Sequence, residues 1–233
     1  FTSSESNEDA NELGKNLGIE LESISIEEIV KAYDSTLNPL FKESKKDITE
    51  ENIQSRARGS LLMAYSNKFG HMVLTNGNKS EVSVGYSTLY GDMCGGFSVV
   101  KDLYKSELYK LAEWRNNNVP SISLLNKKTL IPKNIIIKEP TAELKPNQMD
   151  RDSLPPYDIL DKILYLLVEK ESSISEIVDK GFDVDVVTRI QNMLYNSEYK
   201  RRQAAPGVKI SVRNFGYDRR YPITNAFRDS RGK

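Results

Sequence analysis

Thr75-Asn76-Gly77-Asn78-Lys79-Ser80-Glu81 is a polar turn. It directly follows a short apolar run, His71-Met72-Val73-Leu74-Thr75, which itself follows Gly70 at the end of a long helical pattern. A helix, a glycine stop, a buried strand and a polar turn, repeated along a chain, predict an α/β fold with a parallel sheet. Ligands of such sheets sit beyond the carboxyl ends of the strands, so this turn is where chemistry is expected. Gly77 lets the backbone approach a ligand closely. Amides at the start of a following helix favour phosphate. A carboxylate beside phosphates suits Mg²⁺, which takes one or two carboxylates plus phosphate oxygens and water. Spacing alone favours a plainer reading, a polar turn with a solvated Glu81.

Working outward, Ile53, Ala57, Leu61, Ala64 and Tyr65 share one stripe of a helix over about Thr49 to Phe69. Before it, Ser25 and Glu28 are spaced as a capping box for a helix from about Ile26 to Leu37. Ile19 to Ile24 alternates apolar and polar residues and predicts a short strand. Ser3, Ser4, Glu5 and Ser6 precede Ala10, Leu13 and Leu17, which predicts a first helix stopping at Gly18. Downstream, the Gly91 to Gly96 loop leads into Phe97-Ser98-Val99-Val100, expected to be extended, and then a helix from about Ser106 to Arg115. Asn118 to Pro156 holds six of the nine prolines, among them Pro140 and Pro146. A long loop of this kind in a compact protein is functional or disordered. Helices are predicted at Tyr157 to Lys170, Ile174 to Lys180 and Val184 to about Arg202, followed by an irregular tail rich in Arg and aromatic residues.

Composition narrows the function classes. The chain has 33 basic and 33 acidic residues and no net charge. A broad positive face for nucleic acid or an anionic membrane is therefore not expected, and any anion site is local. A single cysteine, Cys94, excludes an intrachain disulfide and a thiolate metal cluster. It also suits a reducing compartment. Cys94 has no base nearby in sequence and reads as inert. The one histidine, His71, enters a strand, which disfavours serine or cysteine hydrolase chemistry. No run reaches the roughly 18 to 20 apolar residues of a spanning helix, and no signal peptide is visible. A chain opening on Phe1 rather than Met is expected to be part of a longer polypeptide.

Other candidates flank the turn. Arg56 and Arg58 on the preceding helix could clamp a carboxylate or phosphate, or form a charged flank. Asn52, one turn before Arg56, could reach the same ligand. In Leu89-Tyr90-Gly91-Asp92-Met93-Cys94-Gly95-Gly96-Phe97, Asp92 could bind a metal, a ribose or an amine, or cap a tight turn. Lys200-Arg201-Arg202-Gln203 suits the negative end of the last helix, and could also fold over an anionic ligand.

Several runs resemble the synthetase domain of the NAD⁺ synthetases, more closely the long, glutamine-dependent type. They are Glu51 to Gly59 (ENIQSRARG), Asn78-Lys79-Ser80-Glu81, Val84-Gly85-Tyr86, Leu89-Tyr90-Gly91-Asp92, Lys138 to Leu144 (KEPTAEL), Asp152 to Asp158 (DSLPPYD) and Tyr199-Lys200-Arg201-Arg202-Gln203. They occur in the family's order over nearly the whole chain. The resemblance implies a Rossmann-like parallel sheet of the adenine nucleotide alpha hydrolase type with a helical C-terminal extension. Residues 1–150 would belong to the α/β synthetase part and 151–233 to the extension and tail.

The implied activity is carbon–nitrogen ligation in NAD biosynthesis. The nicotinate carboxylate of deamido-NAD attacks the α-phosphate of ATP, pyrophosphate leaves, and ammonia displaces AMP from the acyl-adenylate. The nitrogen would come from glutamine or ammonia, with Mg²⁺ offsetting charge. By the resemblance, Glu81 would contact magnesium or deamido-NAD, and Asn52, Arg56 and Asp92 would contact deamido-NAD. Lys105 and Thr141 would contact ATP phosphates, and Lys200 would close over the site. Glu81, Asp92 and Lys105 would be the catalytic set. Asn76 stands where the family commonly has an ATP-contacting Thr. The family's phosphate loop, Ser-Gly-Gly-x-Asp-Ser, and its amidase domain are absent from the chain, which is therefore expected to be inactive alone. A cytoplasmic homodimer or larger homo-oligomer is expected, with the helix from Ile53 to Tyr65 as a possible interface. The competing reading is a non-catalytic module for dimerisation or nucleotide binding. GMP or asparagine synthetases would share the adenylation logic without these runs together.

Overall fold

A computed structural model of the chain describes residues 2–42, 44–145 and 148–229. Phe1, Pro146 and residues 230–233 of the predicted tail lie outside the described residues. Helix α1 (Ser4–Leu17) opens on Ser3, whose hydroxyl accepts from the Ser6 amide, and stops at Gly18 in the left-handed region. The strand predicted for Ile19 to Ile24 does not form. Ile19, Leu21 and Ile24 are 57, 48 and 60% exposed and no described strand pairs with them. Alternation alone makes no strand without a neighbouring edge.

Helix α2 (Glu27–Phe41) follows without the predicted capping box. Ser25 accepts from the Glu27 amide at 3.2 Å, while Glu28 pairs with Lys31 at 3.0 Å. Helix α3 (Ile48–Phe69) instead carries a box that the sequence reading missed. The Asp47 carboxylate accepts from the Thr49 amide at 2.7 Å and Glu50 accepts from the Asp47 amide at 2.8 Å. The α3 stripe is buried only at its start. Ile53 and Ala57 are inside, whereas Ala64 is exposed and Tyr65 is 42% exposed.

Strands β1 (Leu74–Thr75) and β2 (Phe97–Ser98) pair in parallel, Leu74 opposite Phe97 and Thr75 opposite Ser98. The expected α/β architecture is thus present as a small parallel sheet. Two expectations are corrected here. The strand is shorter than His71 to Thr75 and is buried only at Thr75, since Met72 and Leu74 are 69 and 59% exposed. Val99 and Val100 leave the extended conformation for a turn. Helix α4 (Lys79–Val84) begins three residues after β1 and α5 (Lys105–Asn117) lies beyond β2. A short α6 (Lys133–Ile137) forms inside the predicted long loop.

Helices α7 (Tyr157–Val168), α8 (Ile174–Val178) and α9 (Val184–Asn196) build the core. Leu160, Ile163 and Leu164 recur at helical spacing and are fully buried against Ile177, Val187, Ile190 and Leu194. Each such side chain contributes about 1.5–3 kcal/mol by leaving water. The helix predicted through Arg202 breaks at Ser197 into α9 and α10 (Glu198–Arg201). The Ser197 hydroxyl donates to the Met193 carbonyl at 2.7 Å, a back-bond that bends helices. No helix of the described residues is long and apolar enough to cross a membrane.

Candidate active site

The turn after β1 is closed by a capping box of its own. The Asn78 side-chain oxygen accepts from the Glu81 amide at 3.0 Å, and Glu81 Oε2 accepts from the Asn78 amide at 3.1 Å. Glu81 is thereby fixed with its other oxygen 3.3 Å from Lys105 Nζ. Three of the amides opening this helix, where phosphate was expected, are committed within the protein. The Lys79 amide donates to Leu103 O, the Glu81 amide to Asn78, and the Val82 amide to Asn78 O. Lys79, the cation of the turn, points into the interior. Its ammonium meets Asp102 at 3.0 Å, Glu169, the Ser211 hydroxyl and the Arg213 carbonyl.

Two glycines bring α3 against the loop carrying Asp92. A Cβ on Gly59 would lie 2.8 Å from Gly91 O, and one on Gly91 would lie 2.3 Å from Ser55 Oγ. The contact lets Ser55 Oγ accept from the Asp92 amide at 3.0 Å, while Asp92 Oδ1 accepts from the Thr88 amide at 2.8 Å. Asp92 is open to solvent on the cavity side yet crowded by protein behind. That desolvation, reinforced by the charge of Glu81, pushes its carboxyl up to about 6 against the opposing Thr88 amide and Lys200.

Asn76, Glu81, Asp92, Lys105 and Thr141 line one cavity of about 720 Å³ at the carboxyl end of the strands. Asn52, Arg56 and Lys200 are not on its wall. Asn52 accepts from the Thr88 hydroxyl at 2.8 Å, and Arg56 donates to Leu89 O at 3.2 Å from an exposed position. Lys200 donates to Gly85 O and Ser87 O at 2.7 and 2.6 Å. All three hold the Gly85–Gly91 segment from behind. Arg58 does line the cavity.

Sequence reasoning passed over three residues of this wall. Glu143 accepts from the Ser3 amide and hydroxyl, the Ser6 hydroxyl and Lys138, tying α1 to the Thr141 loop. Burial would raise its carboxyl, but the Ser6 and Ser3 donors and Lys138 outweigh it and hold it at about 2. Its place in the KEPTAEL run was the available signal. Asp150 accepts from the Tyr157 hydroxyl at 2.8 Å. Lys101 is buried and donates to Ala205 O at 2.8 Å. Neither had a spacing cue.

Among the described residues no cluster of three or more His, Cys, Asp or Glu could hold a metal alone. Glu81 offers one carboxylate, which fits Mg²⁺ only where substrate phosphates complete the shell.

A family model described as NAD synthase matches residues 1–204. The glutamine-dependent NAD(+) synthetase of Thermotoga maritima is 52% identical over 98% of the chain, which covers 38% of that protein. That of Acinetobacter baylyi is 50% identical over 98% of the chain and 41% of its own length. The structure of the Acinetobacter baumannii glutamine-dependent NAD+ synthetase in complex with ADP matches 99% of the chain and 40% of its own, with a TM-score of 0.55 and 44% identity. A Cytophaga hutchinsonii glutamine-dependent NAD(+) synthetase, at 21% identity and TM-score 0.77, shares the fold. The chain thus spans about two fifths of the length of the curated relatives it matches.

Proposed function

The chain belongs to the NAD synthase family, and from that premise we propose that it carries part of the site that amidates deamido-NAD to NAD at the expense of ATP. The observation that carries the proposal is the meeting of Asn76, Glu81, Asp92, Lys105 and Thr141 on one cavity wall beyond β1. The reaction it supports begins with the nicotinate carboxylate attacking the α-phosphate of ATP. Pyrophosphate leaves, and ammonia, delivered as such or from glutamine, displaces AMP. Adenylation is needed because a free carboxylate is a poor electrophile.

In this proposal Lys105 offsets phosphate charge, and its 3.3 Å pairing with Glu81 holds its ammonium at the cavity until an anion competes for it. Mg²⁺, when bound at Glu81, would supply further charge neutralisation. Asp92, with its carboxyl raised to about 6, is suited to exchange a proton near neutral pH with the entering nitrogen. Asn76 offers hydrogen bonds to ATP, and Thr141 would do so once its hydroxyl leaves the Gln148 carbonyl to which it now donates. Asn52, Arg56 and Lys200 act on deamido-NAD through the loop they hold, or directly after that loop moves.

Residues 1–150 form the α/β part and 151–233 its extension, the polypeptide is a cytoplasmic homo-oligomer, and this chain by itself is inactive. The exposed Leu62, Met63, Tyr65 and Phe69 support an interface limited to the far half of α3.

The test is ATP-dependent NAD formation from deamido-NAD and ammonium by the full natural polypeptide, beside its Glu81→Gln variant. NAD made by the parent and lost in the variant bears out reaction and site. No NAD from a folded parent discards the ligase and leaves a nucleotide-binding or dimerisation module.

A further inference from the structure

The carboxylates of the cavity all have partners. Glu81 has Lys105 and its cap, Asp92 has the Thr88 amide, and Glu143 has Lys138, Ser3 and Ser6. Asp150 has Tyr157, Asp9 has Asn134, and Glu139 has Arg151. The cations are not all so engaged. Lys105 and Lys138 are paired, but Lys101 meets only the neutral Ala205 carbonyl. The Arg58 side chain makes no hydrogen bond or ion pair with any described residue. Asp92 and Asp150 likewise accept hydrogen bonds only from neutral donors, and Asp150 Oδ1 has none; among the cavity's cations Arg58 is the one whose side chain has neither a hydrogen bond nor an ion pair with a described residue.

Arg58 is also well placed. It lies about 200° round α3 from Arg56, which explains why Arg56 turns to the outer surface while Arg58 faces inward. It lines both the 720 Å³ cavity and an adjoining groove of about 1020 Å³ between α1, α2 and α3, so it stands at the junction of the two. Its backbone is held by Gly59, where α3 touches the Asp92 loop. Burial already disfavours its charged form, and the charge of Glu143, spent on other donors, only partly restores it. A half-buried guanidinium with five donors and no acceptor is costly to leave so.

We propose that Arg58 is an anion-binding residue of this site and takes phosphoryl oxygens of the ligand in a two-bonded clamp. Lys101 adds charge on the same wall. The choice of phosphoryl over another oxyanion rests on the function proposed above. Both ATP and the dinucleotide carry such groups, so the source is left to the measurement.

The experiment uses the full polypeptide with Arg58→Gln and Arg58→Lys variants. Thermal melts first establish that each folds. Inorganic pyrophosphate is then titrated calorimetrically. Loss of a charge-assisted clamp is expected to weaken pyrophosphate binding about tenfold or more in Arg58→Gln. Arg58→Lys, which keeps charge without the fork, falls between. Should Arg58→Gln fail to fold, Arg58→Lys carries the test. In NAD formation, KM rises more than kcat falls, for ATP if the clamp holds the triphosphate and for deamido-NAD if it holds the dinucleotide. Pyrophosphate affinity unchanged in folded variants overturns the inference. A parent that makes no NAD, yet loses pyrophosphate binding on substitution, removes the ligase and leaves the clamp.

Discussion

Two lysines, Lys79 opening α4 and Lys105 opening α5, live in opposite worlds. Lys79 is fully buried and meets two carboxylates that are themselves at most 4% exposed, a hydroxyl and a carbonyl. Tyr104 and Phe215 rings lie 5.2 and 5.9 Å away. Lys105 is 23% exposed, has one carboxylate at 3.3 Å and faces the cavity. The first is over-determined and can only hold structure, joining α4, the end of α7 and the tail. The second is held loosely enough for a ligand to compete for it. A motif lysine reads identically in sequence in either case; the number of its fixed partners tells the roles apart.

The sharpest way to break the contrast is Lys79→Met. It strands Asp102 and Glu169 in the interior, and the expected loss is about 3–5 kcal/mol of stability by urea denaturation. A folded, equally stable variant would show that the cluster is not structural. Glu81→Gln should do the reverse in the full polypeptide. NAD formation falls about 100-fold or more as charge stabilisation is lost, while stability changes by about 1 kcal/mol or less because the amide can still accept from Asn78.

Smaller effects separate the two carboxylates that flank Lys105's cavity. The Asp92 carboxyl is raised from 3.8 to about 6, so the folded state binds its proton more tightly than the unfolded state. Its contribution to stability is therefore full below pH 3.8 and is lost as pH rises through about 6. Asp92→Asn should flatten that slope in pH-dependent melts, and the side-chain carbon resonance should titrate near 6. Glu143 is the mirror case, lowered from 4.5 to about 2. Its contribution holds above pH 4.5 and is lost as pH falls through about 2, releasing Ser3 and Ser6 of α1. Amide exchange in α1 should quicken only in that acid window, and Glu143→Gln should bring the faster exchange to neutral pH.

Much of this is legible in the residues alone. The glycine stops at Gly18 and Gly70, the α3 pattern and the apolar spacing of α7 and α9 follow from local rules that the structure obeys. The run from Asn78 to Glu81 does open a helix beside the cavity, though its capping box escapes the usual signature because Asn rather than Ser opens it. What failed needed neighbours. Ile19 to Ile24 has strand alternation without a strand beside it, and Met72 and Leu74 are apolar yet exposed.

By itself, then, the order of residues determined most of the longer helices, the α/β class and the family, since these rest on spacing and on runs that survive in any context. Only the tertiary structure decided which charges are committed. It turned Lys79 inward, placed Arg58 rather than Arg56 on the cavity wall, and set Asp92 and Glu143 on opposite sides of the ordinary carboxylate range. Burial and the count of fixed partners are sums over residues far apart in the chain, and no local pattern carries them.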